Sequence, residues 1–122
     1  MSSGQPYKIL VVEDEILIAI DIQHTLEDAG YAVIGPHENV ADSLATIDLG
    51  KPDAAILDVQ LDGEDVFPVA ERLKADGVPI VFHSGHAEPA KLHERFPEAR
   101  FCSKPCTPGL LEDELRIAIE GQ

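Results

Sequence analysis

The chain has 122 residues, 44% of them hydrophobic, and its 23 acidic and 9 basic side chains give a formal net charge of −14. This length allows one domain with a substantial core, which we expect to be ordered over about residues 7–120. The acidic balance disfavours direct nucleic-acid binding, no apolar segment is long enough to span a membrane, and no signal peptide is evident, so we expect a cytoplasmic protein.

The chain begins with a strand signal followed by a helix signal. The apolar run Lys8–Val12 is typical of a strand buried on both faces. The next helix is predicted from apolar spacing and ends at Gly30. Its core stripe consists of Ile18, Ile22, Thr25 and Ala29. Ile16, Ala19 and Ile20 form a second apolar stripe, and an exposed stripe of this kind often marks a docking surface.

A second and a third strand follow. Tyr31–Ile34 is predicted as a strand closed by Gly35–Pro36, and Asn39 is predicted to cap the next helix. The core stripe of that helix consists of Val40, Leu44 and Ile47. The third strand, Ala54–Leu57, runs directly into Asp58.

The middle of the chain predicts a loop, a helix and a strand. Residues 61–63 (Leu-Asp-Gly) read as a loop, Val66–Ala75 as a helix and Pro79–His83 as the fourth strand. Between Pro89 and Pro97 only two apolar residues have helical spacing, so any helix there should be short and lightly packed.

The last unit consists of the strand Phe101–Ser103 and a helix that Thr107 is expected to cap, with Pro108 in its first position. Strands and helices therefore alternate as five βα units. Right-handed crossovers then predict an α/β fold, a doubly wound five-stranded parallel sheet. Two helices should cover one face of this sheet and three the other.

The cysteines, Cys102 and Cys106, have no wider framework. Their spacing matches neither a CxxC redox motif nor a zinc half-site, and an isolated pair is typical of a reducing compartment. We therefore expect free thiols. The histidines His83, His86 and His93 also lack the spacing of a metal site.

Charged residues follow three of the predicted strands. Glu13–Glu15 follows the first strand, Asp58 the third and Lys104 the fifth. Ligands of such sheets bind beyond the carboxyl ends of the strands, where these side chains should converge. Taken singly, each has a structural explanation, such as pairing of the acids with a helix dipole. Together they favour a site for a divalent cation and phosphoryl transfer.

Four motifs resemble the signature positions of the response-regulator receiver domain, and the likeness extends over essentially the whole chain. The motifs are Val11–Glu15, Ile56–Asp58, His83–Gly85 and Lys104–Pro105. The resemblance implies a flavodoxin-like (βα)5 fold with strand order 2-1-3-4-5 and a single receiver domain over residues 1–122. It also implies a phosphorelay protein, not an enzyme, that accepts a phosphoryl group and signals through altered protein binding.

By this resemblance, Asp58 is the phosphoacceptor, since a carboxylate can attack phosphorus and carry the group as an acyl phosphate. Glu13, Asp14 and Asp58, with the main-chain carbonyl of Gln60, would hold Mg²⁺, which prefers oxygen ligands.

The resemblance also implies roles around the phosphoryl group. Lys104 would supply a fixed positive charge, and the Ser84 hydroxyl would bind the incoming group. Ser84 and Phe101 would form the conformational switch, although Phe101 is equally a core aromatic. Gln60 and His86 would tune the phosphoryl lifetime, although His86 could be a surface imidazole. The Lys104–Pro105 peptide bond is usually cis in this family.

The implied partners are a sensor histidine kinase or histidine phosphotransfer protein, which the first helix helps to dock, and a downstream protein target. A monomer or weak homodimer is expected. Alternatives are a phosphate shuttle or sink without allosteric output, a Mg²⁺-dependent phosphohydrolase and a phosphorylation-independent module. The usual aspartate phosphohydrolase has a second acid where this chain has Gln60. Flavodoxin-like cofactor binding would need a phosphate loop after the first strand, and none is present.

Overall fold

The computed structural model describes residues 6–61, 63–85, 89–104 and 106–121. Five parallel strands form one sheet of order β2-β1-β3-β6-β7, and two short antiparallel strands, β4 and β5, form a hairpin. The strands are β1 Lys8–Val12, β2 Ala32–His37, β3 Ala54–Asp58, β4 Gln60–Leu61, β5 Glu64–Asp65, β6 Ile80–Ser84 and β7 Arg100–Ser103. The helices are α1 Ile16–Asp28, α2 Val40–Leu49, α3 Phe67–Ala75, α4 Pro89–Arg95 and α5 Pro108–Glu120. The predicted α/β fold and strand order are confirmed, since β6 and β7 are the fourth and fifth strands of the sheet.

Successive residues of each strand point to opposite sides of the sheet, and helices cover both of these faces. On one face, Leu10 and Leu57 pack in a core with apolar residues of α2, α3 and α4. On the other face, Val11 and Ile56 pack with residues of α1 and α5. The predicted division into three helices and two is therefore confirmed, and it explains why the strands read as continuous apolar runs.

Two predicted helix caps are confirmed. The Asn39 side chain accepts a hydrogen bond from the Asp42 N–H at 2.8 Å. Thr107 Oγ1 accepts one from the Leu110 N–H at 3.2 Å. Each bond satisfies an N–H that has no partner within the first turn of its helix.

The strand β2 is longer than predicted, and the expected stop at Gly35–Pro36 was wrong. The strand continues to His37, with a register irregularity opposite Leu10–Val12. Gly35 has a φ of 97°, and a Cβ there would lie 2.7 Å from the His37 nitrogen, so glycine is required. The His37 carbonyl accepts a hydrogen bond from the Glu13 N–H at 2.9 Å. The extension therefore positions the first acidic residue of the site.

Where the sequence predicted a loop containing residues 61–63, Gln60–Leu61 pairs with Glu64–Asp65 as two short antiparallel strands. Leu61 is buried, the Val66 N–H donates to the Val59 carbonyl at 3.1 Å, and the Val40 N–H donates to Glu64 Oε1 at 2.8 Å. The segment that follows Asp58 is thus held to the start of α2.

The helix α1 is rotated relative to the prediction. Its buried residues are Ala19, Ile22 and Leu26. Ala19 therefore belongs to the core, and its assignment to an exposed stripe was wrong. The exposed apolar patch of α1 consists instead of Ile16, Leu17 and Ile20, whose exposed fractions are 71%, 76% and 39%.

The helix α4 is short, as predicted. It has seven residues, and Leu92 and the following Phe96 are buried in the core. None of the helices in the described residues has the length and apolar character needed to cross a membrane.

Candidate functional site

Acidic side chains meet at the carboxyl edge of the sheet. Glu13 and Asp14 follow β1, and Asp58 ends β3. Each offers a carboxylate oxygen, and these oxygens lie within 4.8 Å of one another. They converge because parallel strands bring their carboxyl ends to one edge.

Lys104 brings a positive charge to Asp58, Glu13 and Glu15. Its Nζ donates to Asp58 Oδ2 at 3.2 Å and lies 3.5 Å from both Glu13 Oε1 and Glu15 Oε1. Its backbone N–H donates to the Ser84 carbonyl at 2.9 Å, which ties the end of β7 to the end of β6. Burial favours a lower pKa for the Lys104 ammonium, but Glu13, Asp58 and Glu15 outweigh burial and raise it.

Glu13 is almost fully buried. Its Oε2 accepts a hydrogen bond from the Glu15 N–H at 3.2 Å. No described residue hydrogen-bonds its Oε1. Burial alone would raise the pKa of Glu13, yet the neighbouring His83, Asp58, Glu15 N–H and Lys104 together lower it.

Asp58 has the opposite perturbation. Burial and the nearby Glu13 carboxylate raise its pKa to about 7 against the weaker effect of Lys104. Without a cation and below about pH 7, the pair therefore holds a proton more readily on Asp58 than on Glu13.

The acidic cluster fits a hard divalent cation. All three side chains offer oxygen, and the buried Glu13 Oε1 accepts no hydrogen bond from the described residues. A bound cation would relieve the repulsion that raises the pKa of Asp58. The backbone of Gln60, predicted to contribute its carbonyl, lies two residues beyond Asp58 at the start of β4.

Beside these carboxylates lies a cavity of about 790 Å³. Asp58, Ser84 and Lys104 line its charged end, while Ile18 and Pro108 contribute apolar walls. The cavity can therefore admit a polar group directly to the Asp58 carboxylate.

Ser84 and Phe101, the predicted switch residues, lie on the same face of the sheet. Ser84 is two residues after Phe82, which pairs in register with Phe101. The Phe101 ring is half-buried and stacks on Phe82, with ring centroids 5.6 Å apart. It also lies 4.4 Å from the ring of His93 on α4. Phe101 is thus a core aromatic, as expected, and also contacts α4.

Three expectations fall outside the described residues. His86 lies there, as does Pro105 with the Lys104–Pro105 bond. The side chain of Gln60, predicted to affect the phosphoryl lifetime, lies there too.

The two cysteines do not form the free thiols that the sequence indicated. Cys102 and Cys106 are joined in a disulfide, with their Cα atoms 6.0 Å apart. The sequence spacing gave no sign of this pairing. They lie close together because the chain bends at Lys104, between them in sequence.

Sequence reasoning also missed the position of His83. This residue is buried beside Glu13 and lines the cavity. The position of His83 could have been inferred from β6, because His83 directly precedes Ser84 and lies level with Asp58 on the neighbouring parallel strand.

Comparison with known proteins agrees with this geometry. The sequence matches the family described as "Response regulator receiver domain" over residues 9–116. It is 39% identical over 117 residues to the uncharacterized transcriptional regulatory protein YbdJ of Bacillus subtilis, covering 93% of this chain and 51% of YbdJ. It is 33% identical over 111 residues to the phyllosphere-induced regulator PhyR of Methylorubrum extorquens, covering 88% of this chain and 42% of PhyR. The chain thus spans about half or less of these curated relatives.

Solved structures show the same fold. SdrG from Sphingomonas melonis is 38% identical, with a TM-score of 0.78 and coverage of 98% of this chain and 99% of SdrG. A response regulator receiver protein from Sinorhizobium medicae is 25% identical, with a TM-score of 0.85 and coverage of 97% and 98%. The matched family, the fold and the acidic edge of the sheet agree, and the chain belongs to the response-regulator receiver domain family.

Proposed function

We propose that residues 1–122 act as one receiver domain that accepts a phosphoryl group on Asp58 from a sensor histidine kinase or histidine phosphotransfer protein. One observation carries this proposal: the Asp58 carboxylate is buried at the end of β3 with Lys104 Nζ 3.2 Å away and two further carboxylates beside it. We further propose that the domain is not an enzyme but a carrier and signal, acting in the cytoplasm.

Glu13, Asp14 and Asp58, with the main-chain carbonyl of Gln60, would hold Mg²⁺. When bound, the ion would neutralise negative charge on the carboxylates and on the phosphoryl oxygens.

In the transfer step, an ionised oxygen of Asp58 attacks phosphorus. The phosphorus–nitrogen bond to the donor imidazole breaks, and the imidazole leaves with the bonding electron pair and gains a proton from solvent. The Lys104 ammonium offsets charge on the phosphoryl oxygens, and the Ser84 hydroxyl donates a hydrogen bond to one of them. The edge of the sheet already holds the Lys104 ammonium beside Asp58, and Ser84 lines the same cavity.

Phosphorylation would then shift a conformational equilibrium on the face formed by α4, β7 and α5. Drawing Ser84 towards the phosphoryl group would leave space for the Phe101 ring, which lies on the same face of the sheet and contacts α4. Couplings of this kind are typically about 1–3 kcal/mol, enough to change partner affinity about 5–150-fold. A downstream protein would read this change.

The remaining assignments follow from the same proposal. Gln60 and His86 would set the phosphoryl lifetime. The exposed patch of Ile16, Leu17 and Ile20 on α1 would help to dock the kinase. We propose a monomer or weak homodimer. We also propose that it makes no direct contact with nucleic acid or membrane, because the net charge of −14 disfavours binding to anionic surfaces.

Mg²⁺-dependent phosphorylation tests the function directly. Incubation with acetyl phosphate and Mg²⁺ should add one phosphoryl group per chain, as measured by intact-protein mass spectrometry. A chelator should slow this addition roughly 10²-fold, because the buried carboxylates would then repel the donor. Equal rates in both arms would refute the proposal, whereas sustained release of phosphate from small phosphoesters would favour a phosphohydrolase.

Nuclear magnetic resonance with beryllofluoride and Mg²⁺ separates a switch from a phosphate shuttle. We expect amide shifts to extend from Asp58 to Phe101 and into α5, because the switch links the pocket to that face. Shifts that stop at the residues around Asp58 would contradict the switch and leave a phosphate shuttle or sink as the function.

A further inference from the structure

His83 is a buried polar residue that the transfer step does not use. It has only 3% of its surface exposed, and it pairs in register with Asp58 on β3 and with Cys102 on β7. Neither of its ring nitrogens has a hydrogen-bond partner among the residues that the structure describes. A buried imidazole without a partner is unfavourable, so its surroundings should contain a group that it can bind.

Glu13 is that group. His83 Nδ1 lies 3.7 Å from Glu13 Oε1, and both side chains are buried. The Glu13 Oε1 atom also lacks a hydrogen bond within the described part of the chain, while Oε2 is already held by the Glu15 N–H. A donor and an acceptor, neither of which has a hydrogen bond to the described residues, therefore face each other slightly beyond hydrogen-bond distance.

The Lys104 ammonium is not available to Glu13 exclusively. Its ammonium is shared among Asp58 at 3.2 Å and Glu13 and Glu15 at 3.5 Å each. In the proposed function it also contacts the phosphoryl group. When it does, His83 is the donor that still faces Glu13.

The geometry points to His83 as a positioning residue that donates a hydrogen bond from Nδ1 to Glu13 Oε1 and holds this carboxylate in its cation-binding orientation. This inference rests on the proposed Mg²⁺ site. Groups that orient a metal ligand in this way typically change metal affinity about 10–100-fold when they are replaced. A histidine that only filled space in the core would have no such effect.

Two substitutions distinguish these roles. His83→Leu keeps a side chain of similar size but removes the donor, whereas His83→Asn places an amide nitrogen near the position of Nδ1. We expect calorimetric titration of the unphosphorylated protein with Mg²⁺ to give about 10–100-fold weaker binding for His83→Leu. His83→Asn should recover most of the loss. Leu73→Val, at a buried position of α3, provides a control for lost stability and should bind Mg²⁺ as the wild type does.

The outcomes are separable. Wild-type affinity or tighter binding in His83→Leu, or no recovery in His83→Asn, overturns the role of His83 while leaving the Mg²⁺ site intact. A wild-type protein that does not bind Mg²⁺ overturns both.

Nitrogen resonances of the wild-type imidazole provide a measurement that needs no variant. Addition of Mg²⁺ should leave the proton on Nδ1 with a shift typical of a hydrogen bond, and an unprotonated Nδ1 overturns the inference.

Discussion

Asp58→Asn is expected to abolish phosphorylation by acetyl phosphate and Mg²⁺, with no phosphorylated species detectable by intact-protein mass spectrometry. The amide is nearly the same size as the carboxylate but is not a nucleophile towards phosphorus. It also removes one of the three carboxylates that could hold the cation. Loss of both the attacking atom and a metal ligand should therefore reduce the yield to background.

Asp21→Asn is the matched control. Asp21 lines the same cavity but is exposed and lies outside the acidic cluster. This variant should be phosphorylated like the wild type. A phosphorylated species that persists in Asp58→Asn would mean that another residue is the acceptor.

The stability of the metal-free protein should fall as pH rises from about 4 to about 7. Folding raises the pKa of Asp58 from 3.8 to about 7, so in this range the folded state binds more protons than the unfolded state. The free energy of unfolding must then decrease with pH. A shift of one pKa unit corresponds to about 1.4 kcal/mol. We expect the free energy of unfolding to fall by roughly 1–3 kcal/mol, which is less than the full shift of Asp58 would give, because the lowered pKa of Glu13 acts in the opposite direction.

Urea denaturation in the presence of a chelator measures this effect. Asp58→Asn should lose most of the pH dependence and should be more stable than the wild type at pH 8, because the amide removes a buried charge beside Glu13. Mg²⁺ should reverse the order, since a ligand at 100 times its dissociation constant stabilises the folded state by about 2.7 kcal/mol. A wild-type stability that rises over the same pH range would contradict the assigned perturbation of Asp58.

The five βα units, and the edge of the sheet at which the charged residues meet, could be predicted from the sequence. The strands could be recognised in the sequence because both of their faces are buried, which gives continuous apolar runs that end abruptly. Asn39 and Thr107 were readable because a cap bonds to an N–H only three residues away. Convergence of Asp58 with Glu13 followed from the parallel sheet alone, since strand direction decides where the carboxyl ends lie.

Features that depend on contacts between distant residues became visible in the folded structure alone. The extension of β2 to His37 depends on its pairing with β1, and the orientation of α1 depends on which of its faces the core accepts. The disulfide of Cys102 and Cys106 depends on the bend of the chain at Lys104. His83 on β6 and Glu13 after β1 approach each other across the end of β3, which lies between these two strands in the sheet. Both side chains are buried there, so water is excluded. Local spacing cannot encode such a pairing, because 69 residues separate the two side chains along the chain and only the packed sheet places them 3.7 Å apart.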